Sequence, residues 1–126
     1  MAVLEMRPVY TSYEREEYTK PFGITPEDDK VVICARYPDK FVGLAYVSAE
    51  NENGTVHFLS LVDGYNDDTD IFLLGKAMLN YLDLHGVKNV VYPDVTDPAL
   101  AKRLGFKQND DGIFTLCLEG YFTGKH

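Results

Sequence analysis

The chain has 126 residues, of which 45% are hydrophobic and 25% charged, and its formal net charge at pH 7 is −8. These values predict a single soluble globular domain with a core of its own and exclude a disordered chain. The acidic surface makes nucleic acid and anionic membranes poor partners, because both repel negative charge. No apolar stretch reaches the roughly 18 residues that a membrane-spanning helix needs.

The N-terminal segment MAVLEMRPVY lacks a basic stretch followed by an apolar one, so no signal peptide is expected. The two cysteines, Cys34 and Cys117, lie in apolar, strand-like runs, and we expect both to be buried and reduced. Together these features predict a cytoplasmic protein.

The first 30 residues are the least regular part of the chain. MAVLEMRPV predicts a short strand ended by Pro8, and TSYEREEYTK predicts a short helix that stops before Pro21. The side chains of that helix would face a cationic ligand, a second subunit or solvent; the residues concerned are Tyr13, Glu14, Glu16, Glu17 and Tyr18.

Three strand-like runs follow and predict an antiparallel meander. They are KVVICARY (30–37), FVGLAYVSA (41–49) and TVHFLSLV (55–62). The pair Asn53-Gly54 predicts the tight turn between the second and third runs, because Asn-Gly favours two-residue hairpin turns.

The apolar spacing becomes helical from about Thr69 to His85, and Gly86 is placed to end this helix. One predicted face of the helix carries Ile71, Leu74, Met78, Leu82 and His85. VKNVVY (87–92) then predicts a strand parallel to the one before the helix, because a helical crossover joins the two.

The last part of the chain predicts a second helix and a final strand or hairpin. In DPALAKRLGF, Asp97 is the expected N-cap and Pro98 the first helical residue. GIFTLCLEGYF supplies the last strand. The whole order predicts an α/β fold, with a mixed, mostly antiparallel central sheet and helices on its faces.

This order, with Asn-Gly before the fourth strand and RLGF late in the chain, resembles the GNAT superfamily of acyl-CoA N-acyltransferases. The resemblance implies that residues 1–126 form a single GNAT-like domain, with an abbreviated N-terminal region (1–30) and a core (31–126). Family members place two helices between the first and second strands, where this chain has room for one. A homodimer would cover the part of the sheet that the absent second helix leaves exposed.

The resemblance also implies a cleft for acetyl-CoA or another acyl-CoA between the fourth and fifth strands. Its pyrophosphate would bind a Gln/Arg-x-x-Gly-x-Gly/Ala turn at the start of the long helix. Here the aligned residues run from Asp70 to Gly75. Only Gly75 matches the pattern, since Asp70 stands at the Gln/Arg position and Leu73 at the first glycine. If an acyl-CoA binds, the expected contacts are Leu61, Val62, Asp63, Leu74, Gly75 and Lys76.

Aspartates crowd this helix start, where they would repel phosphates and cap the helix themselves: Asp63, Asp67, Asp68 and Asp70. The alternation of Asn66, Asp68 and Asp70 resembles half of a calcium loop. The glycine and the late glutamate of such a loop are Ile71 and Ala77 here, so no metal site is predicted.

The tyrosine that serves family members as general acid corresponds to Ala101. Two tyrosines could replace it as general acid: Tyr92, at the end of the fifth strand, and Tyr65, in the aspartate-rich loop before the long helix. Either could instead be an ordinary packed, hydrogen-bonded ring. His57 is the only titratable residue on its predicted strand and is the candidate base, unless it is a structural sheet histidine.

Two functions therefore follow from the sequence. The acidic turn, Ala101 and the missing helix favour a non-catalytic GNAT-like domain that uses its cleft for a small-molecule or protein ligand. The alternative is an active acetyl-CoA-dependent N-acetyltransferase with atypical cofactor contacts, acting on a small amine or a peptide amine.

Overall fold

A seven-stranded sheet forms the centre of the computed structural model, which describes residues 3–122. The helices are α1 (Ser12–Thr19), α2 (Asp68–Leu84) and α3 (Pro98–Leu104), and a 3-10 turn, Lys20–Phe22, follows α1. The strands are β1 (Glu5–Val9), β2 (Lys30–Tyr37), β3 (Lys40–Glu50), β4 (Asn53–Leu61), β5 (Asn89–Tyr92), β6 (Lys107–Gln108) and β7 (Phe114–Cys117).

The strands lie in the order β1-β2-β3-β4-β5-β7-β6, and β4 with β5 is the one parallel pair among the described strands. The meander of β2, β3 and β4, the parallel β5 and the last hairpin are therefore confirmed. A right-handed helical crossover is the usual connection between parallel neighbours, and α2 is that connection here.

The turn between β3 and β4 lies earlier than predicted. Glu50 pairs with Asn53, so the turn residues are Asn51 and Glu52, and Asn51 adopts a left-handed φ of 57°. Gly54 lies within β4, where a Cβ would come within 3.1 Å of Val87 Cγ1. The glycine permits close packing of β4 against the segment that enters β5, and the predicted Asn53-Gly54 turn was wrong.

The sheet separates two apolar cores. Helices α2 and α3 pack on one face through residues that include Leu74, Met78 and Leu104. Helix α1 packs on the other face, where the ring of Tyr18 stacks on Phe41 with centroids 4.8 Å apart. Between β1 and β2 the chain thus forms one short helix, as predicted, and a 3-10 turn that the sequence did not predict.

Two residues lie differently from the sequence prediction. Cys34 is buried, but Cys117 is exposed, because it alternates with Leu116 and faces away from the α2–α3 core. His85 is exposed at the end of α2 and stacks on Tyr81 instead of joining the buried face. No helix in the described part of the chain is both long and apolar enough to cross a membrane.

Close contact between α2 and α3 depends on Gly75. A Cβ there would lie 2.7 Å from Leu104 Cδ1, and Leu104 is fully buried. We expect Gly75→Ala to lower the free energy of unfolding, because overpacking costs about 1–3 kcal/mol and outweighs a helix-propensity gain of about 1 kcal/mol. Urea denaturation measures the change.

Asn80→Ala is the matched control, because Asn80 is exposed on the same helix. It should leave stability unchanged or slightly raised. A Gly75→Ala protein as stable as the wild type would contradict the packing role of Gly75.

Candidate functional site

A cleft opens where β4 and β5 part. The two strands pair only from Asn53–Thr55 to Asn89–Val91, whereas β4 continues to Leu61 alongside β3. The resulting cleft has a volume of about 300 Å³. It is lined by the end of β4, the loop that follows, the start of α2 and the start of α3.

The lining of the cleft is strongly acidic. Four aspartates contribute to it, namely Asp63, Asp67, Asp68 and Asp97, and its lining within residues 3–122 includes no lysine or arginine. Like charges in a concave, poorly solvated site reinforce one another's potential. In the same part of the chain, no group of three or more His, Cys, Asp or Glu side chains could hold a metal ion. The cleft therefore attracts positive charge and repels anions.

Both helices that begin at the cleft are capped by its own aspartates. Asp67 Oδ1 accepts a hydrogen bond from the backbone N–H of Asp70 at 2.9 Å. Asp97 Oδ1 accepts one from the N–H of Leu100 at 3.1 Å. The predicted capping by Asp97 and by the 67–70 segment is confirmed. A phosphate that used these amides would have to displace a carboxylate that already satisfies them.

Asp70 is turned away from the cleft and is only 5% exposed. Its carboxylate accepts hydrogen bonds from the hydroxyl of Tyr37, at 2.9 Å, and from that of Tyr65. The Lys40 ammonium lies 4.3 Å from the centroid of the Tyr65 ring. Asp70 aligns with the Gln or Arg that opens the family's turn. Here it links the loop before α2 to the end of β2.

The two tyrosines remain protonated because of this arrangement. The hydrogen bond to Asp70 is the main cause that raises the pKa of each phenol above its usual range, and burial contributes in the same direction. A neutral hydroxyl is the donor that a buried carboxylate requires.

The predicted cofactor contacts divide into two groups. Leu61, Val62 and Asp63 line the cleft. Leu74 is fully buried beneath the sheet, and Gly75 faces Leu104, so neither lies in the lining. The side chain of Lys76 lies elsewhere too, where its Nζ donates a hydrogen bond to the hydroxyl of Tyr121 at 3.1 Å.

The candidate catalytic residues His57 and Tyr92 both lie near the point where β4 and β5 part, but on opposite faces of the sheet. His57 lies beside Tyr46 of the α1 core, with ring centroids 5.9 Å apart, whereas Tyr92 belongs to the α2–α3 core. Neither contributes to the lining of the cleft. The structure does not bring them together.

The environments of these two residues set their protonation. Burial is the main cause that lowers the pKa of His57, and the charge of Lys30 acts in the same direction, so its imidazole is neutral at pH 7. Tyr92 is 3% exposed and packs edge-on against Phe106; burial, followed by the charge of Asp97, raises its pKa to about 12. Ala101 is fully buried in the same core.

Tyr37 is the site residue that sequence reasoning missed. It is 33 residues from its partner Asp70, and no local pattern marks so distant a hydrogen bond. The position of Asp97 in the cleft was also missed, although its capping signature was visible in the sequence.

Comparison with known proteins identifies the fold. No model of a known protein family matches the sequence, and no curated protein is similar to it. Among solved structures, the ribosomal-protein-S18-alanine N-acetyltransferase from Escherichia coli superimposes with a TM-score of 0.71 and 14% identity, over 91% of this chain and 94% of that one.

Two further structures contain the family's cofactor. A GNAT-family N-acetyltransferase from Escherichia coli in complex with CoA matches with a TM-score of 0.67 and 14% identity, over 98% of this chain and 87% of that one. A GNAT-family acetyltransferase from Brucella melitensis in complex with acetyl-CoA matches with the same TM-score and identity, over 91% and 88%. The chain therefore has the GNAT fold, and the resemblance seen in the sequence is confirmed at that level.

We expect Tyr37→Phe to destabilise the protein, because it leaves the buried Asp70 carboxylate short of one donor. The melting temperature should fall by several degrees, as measured by circular dichroism. Folding raises the pKa of the Tyr37 phenol. The phenol's contribution to the free energy of unfolding is therefore fully present below the ordinary tyrosine pKa of about 10 and is lost as the pH rises further.

Tyr13→Phe is the control, since Tyr13 is 77% exposed. Its melting temperature should equal that of the wild type at every pH. If Tyr37→Phe did the same, the hydrogen bond to Asp70 would not help to hold the cleft loop.

Proposed function

We propose that this chain is a GNAT-fold protein without acetyltransferase activity, whose cleft binds a small, positively charged ligand. The observation that carries the proposal is the set of four aspartates lining the space between β4 and β5, with no lysine or arginine in the described lining. A fold alone does not fix a function, so the proposal depends on the chemistry of this cleft.

Electrostatics disfavour an acyl-CoA in the cleft. One carboxylate about 4 Å from a phosphate oxygen costs roughly 1 kcal/mol in water and several times more where solvent is excluded. Micromolar affinity corresponds to about 8 kcal/mol in total. Several such repulsions would remove most of that affinity, and the N–H of Asp70 at the start of α2 already has Asp67 as its acceptor.

Two of the aspartates remain available to a cationic ligand. Asp67 and Asp97 cap helices, but Asp63 and Asp68 form neither a salt bridge nor a side-chain hydrogen bond within residues 3–122. A volume of about 300 Å³ accommodates an alkyl diamine or the side chain of a basic residue. Carboxylates that bind such an ammonium group would replace part of its hydration.

Isothermal titration calorimetry tests the proposal, with spermidine as the cationic probe and acetyl-CoA and CoA as the anionic ones. We expect spermidine to bind, with an affinity that falls as the NaCl concentration rises, because salt screens exposed charges. Acetyl-CoA and CoA should give no binding heat.

A double variant, Asp63→Asn with Asp68→Asn, should weaken spermidine binding about tenfold, which corresponds to about 1.4 kcal/mol. Asp110→Asn with Asp111→Asn is the matched control, because it removes the same charge from exposed positions outside the cleft. Low-micromolar binding of acetyl-CoA, or equal effects of the two double variants, would refute the proposal.

A second candidate function is acetyl-CoA-dependent N-acetylation, with the cofactor bonded to backbone amides of Leu61–Asp63. The observation that favours it is His57, a neutral imidazole only two residues beyond the last β4–β5 pair. In this scheme His57 accepts a proton from the acceptor amine.

Thiol release from acetyl-CoA in the presence of a panel of amines and peptides tests this second function. We expect turnover to fall about 100-fold in His57→Ala, because a general base typically contributes that much or more. Tyr92→Phe tests the candidate acid in the same assay. Turnover should increase as the pH rises through the His57 pKa and then level off, and undiminished turnover in His57→Ala would exclude this base.

A further inference from the structure

A polar cluster lies on the α1 side of the sheet, outside the cleft lining. It consists of Lys30 on β2, Ser48 on β3 and His57 on β4. Lys30 and Ser48 are cross-strand partners, so their side chains project from the same face. Ser48 Oγ lies 2.7 Å from His57 Nε2, which is a hydrogen bond between an alcohol and an imidazole.

A β-bulge gives His57 this position. Val47 pairs with Val56 and Tyr46 pairs with Phe58, so His57 is the additional residue on β4. In a regular strand, two consecutive side chains would point to opposite faces. Here the bulge lets both His57 and Phe58 lie on the α1 side, since Phe58 packs with the α1 core.

Charged groups influence the protonation of His57. Lys30 Nζ lies 2.7 Å from a carboxylate oxygen of Glu27 and 3.5 Å from one of Asp29, and its side chain is largely buried. The charges of Glu27, Asp29 and Asp94 favour the protonated form of His57, whereas burial and Lys30 favour the neutral form. Burial outweighs the carboxylates, so the ring is neutral at rest, while the charges of the carboxylates act in favour of the protonated form.

We propose that Ser48 and His57 form a nucleophile–base pair that hydrolyses small, activated esters. As Ser48 Oγ bonds to the ester carbonyl carbon, its proton moves to His57 Nε2, and the Lys30 ammonium favours the negative charge on the carbonyl oxygen. The carbon–alkoxide bond then breaks, and the alkoxide takes the proton from His57. A water molecule then bonds to the acyl carbon as its proton moves to His57. The bond from that carbon to Ser48 Oγ breaks and Ser48 Oγ takes the proton from His57, so ester and water give acid and alcohol.

The proposal concerns residues outside the lining of the cleft and does not rest on the cationic ligand proposed for the cleft. A fluorophosphonate probe tests it on the full chain, because this reagent phosphonylates a serine hydroxyl that a neighbouring base activates. We expect modification of Ser48, located by tandem mass spectrometry. The rate should increase with pH through the His57 pKa and then level off, because the neutral imidazole is the base.

His57→Gln should slow the modification about 100-fold, since it removes the base. Ser48→Ala should abolish it. Ser60→Ala is the matched control, because Ser60 is a half-buried serine on β4 whose hydroxyl donates to the carbonyl of Leu61, and its rate should equal that of the wild type. Circular dichroism establishes that each variant is folded.

A folded wild-type protein in which Ser48 is not modified would overturn the proposal. An unchanged rate in folded His57→Gln would also overturn it, because the hydrogen bond would then be structural only. Hydrolysis of 4-nitrophenyl acetate, measured in the same variants, should follow the same order of rates.

Discussion

The first turn of α2 carries backbone N–H groups that have no partner within the helix, and such groups attract an anion unless the chain supplies its own acceptor. This chain supplies its own acceptor, the Asp67 carboxylate, and places a second aspartate, Asp70, beneath the turn. Tyr37 and Tyr65 hold Asp70 there, so the loop before α2 is fixed to β2 rather than left open to an anion.

The same constraint links the fold to the proposed function. The departure of β4 from β5 creates a cleft whether or not a cofactor fills it, because β4 continues to pair with β3 beyond Thr55. Aspartates at the starts of α2 and α3 are good caps, and in this topology both helices start at that cleft. Capping both helices with aspartate therefore makes the cleft acidic, and Asp63 and Asp68 increase its negative charge.

Local patterns predicted most of the fold, because strand alternation, helical spacing and caps such as Asp97 are encoded within a few residues. The turn at Asn51 was misplaced because Gly54 serves a contact with Val87, which only the folded chain brings near. The site was less predictable for the same reason. Neither the Tyr37–Asp70 bond nor the bulge that turns His57 towards Ser48 leaves a signal in the nearby sequence.

At the start of α2 the backbone N–H of Asp70 is bonded to the Asp67 carboxylate, and we expect this arrangement to exclude an anion such as the pyrophosphate of acetyl-CoA. Titration of the ¹⁵N-labelled protein with acetyl-CoA, followed by amide chemical shifts, tests it most directly, because each backbone N–H reports its own contacts. We expect the amides of Leu61–Asp63 and Asp68–Ile71 to keep their shifts throughout the titration, because α2 begins at Asp68. Saturable shifts confined to Asp68–Ile71 would show a pyrophosphate bound at the helix start and would refute this expectation.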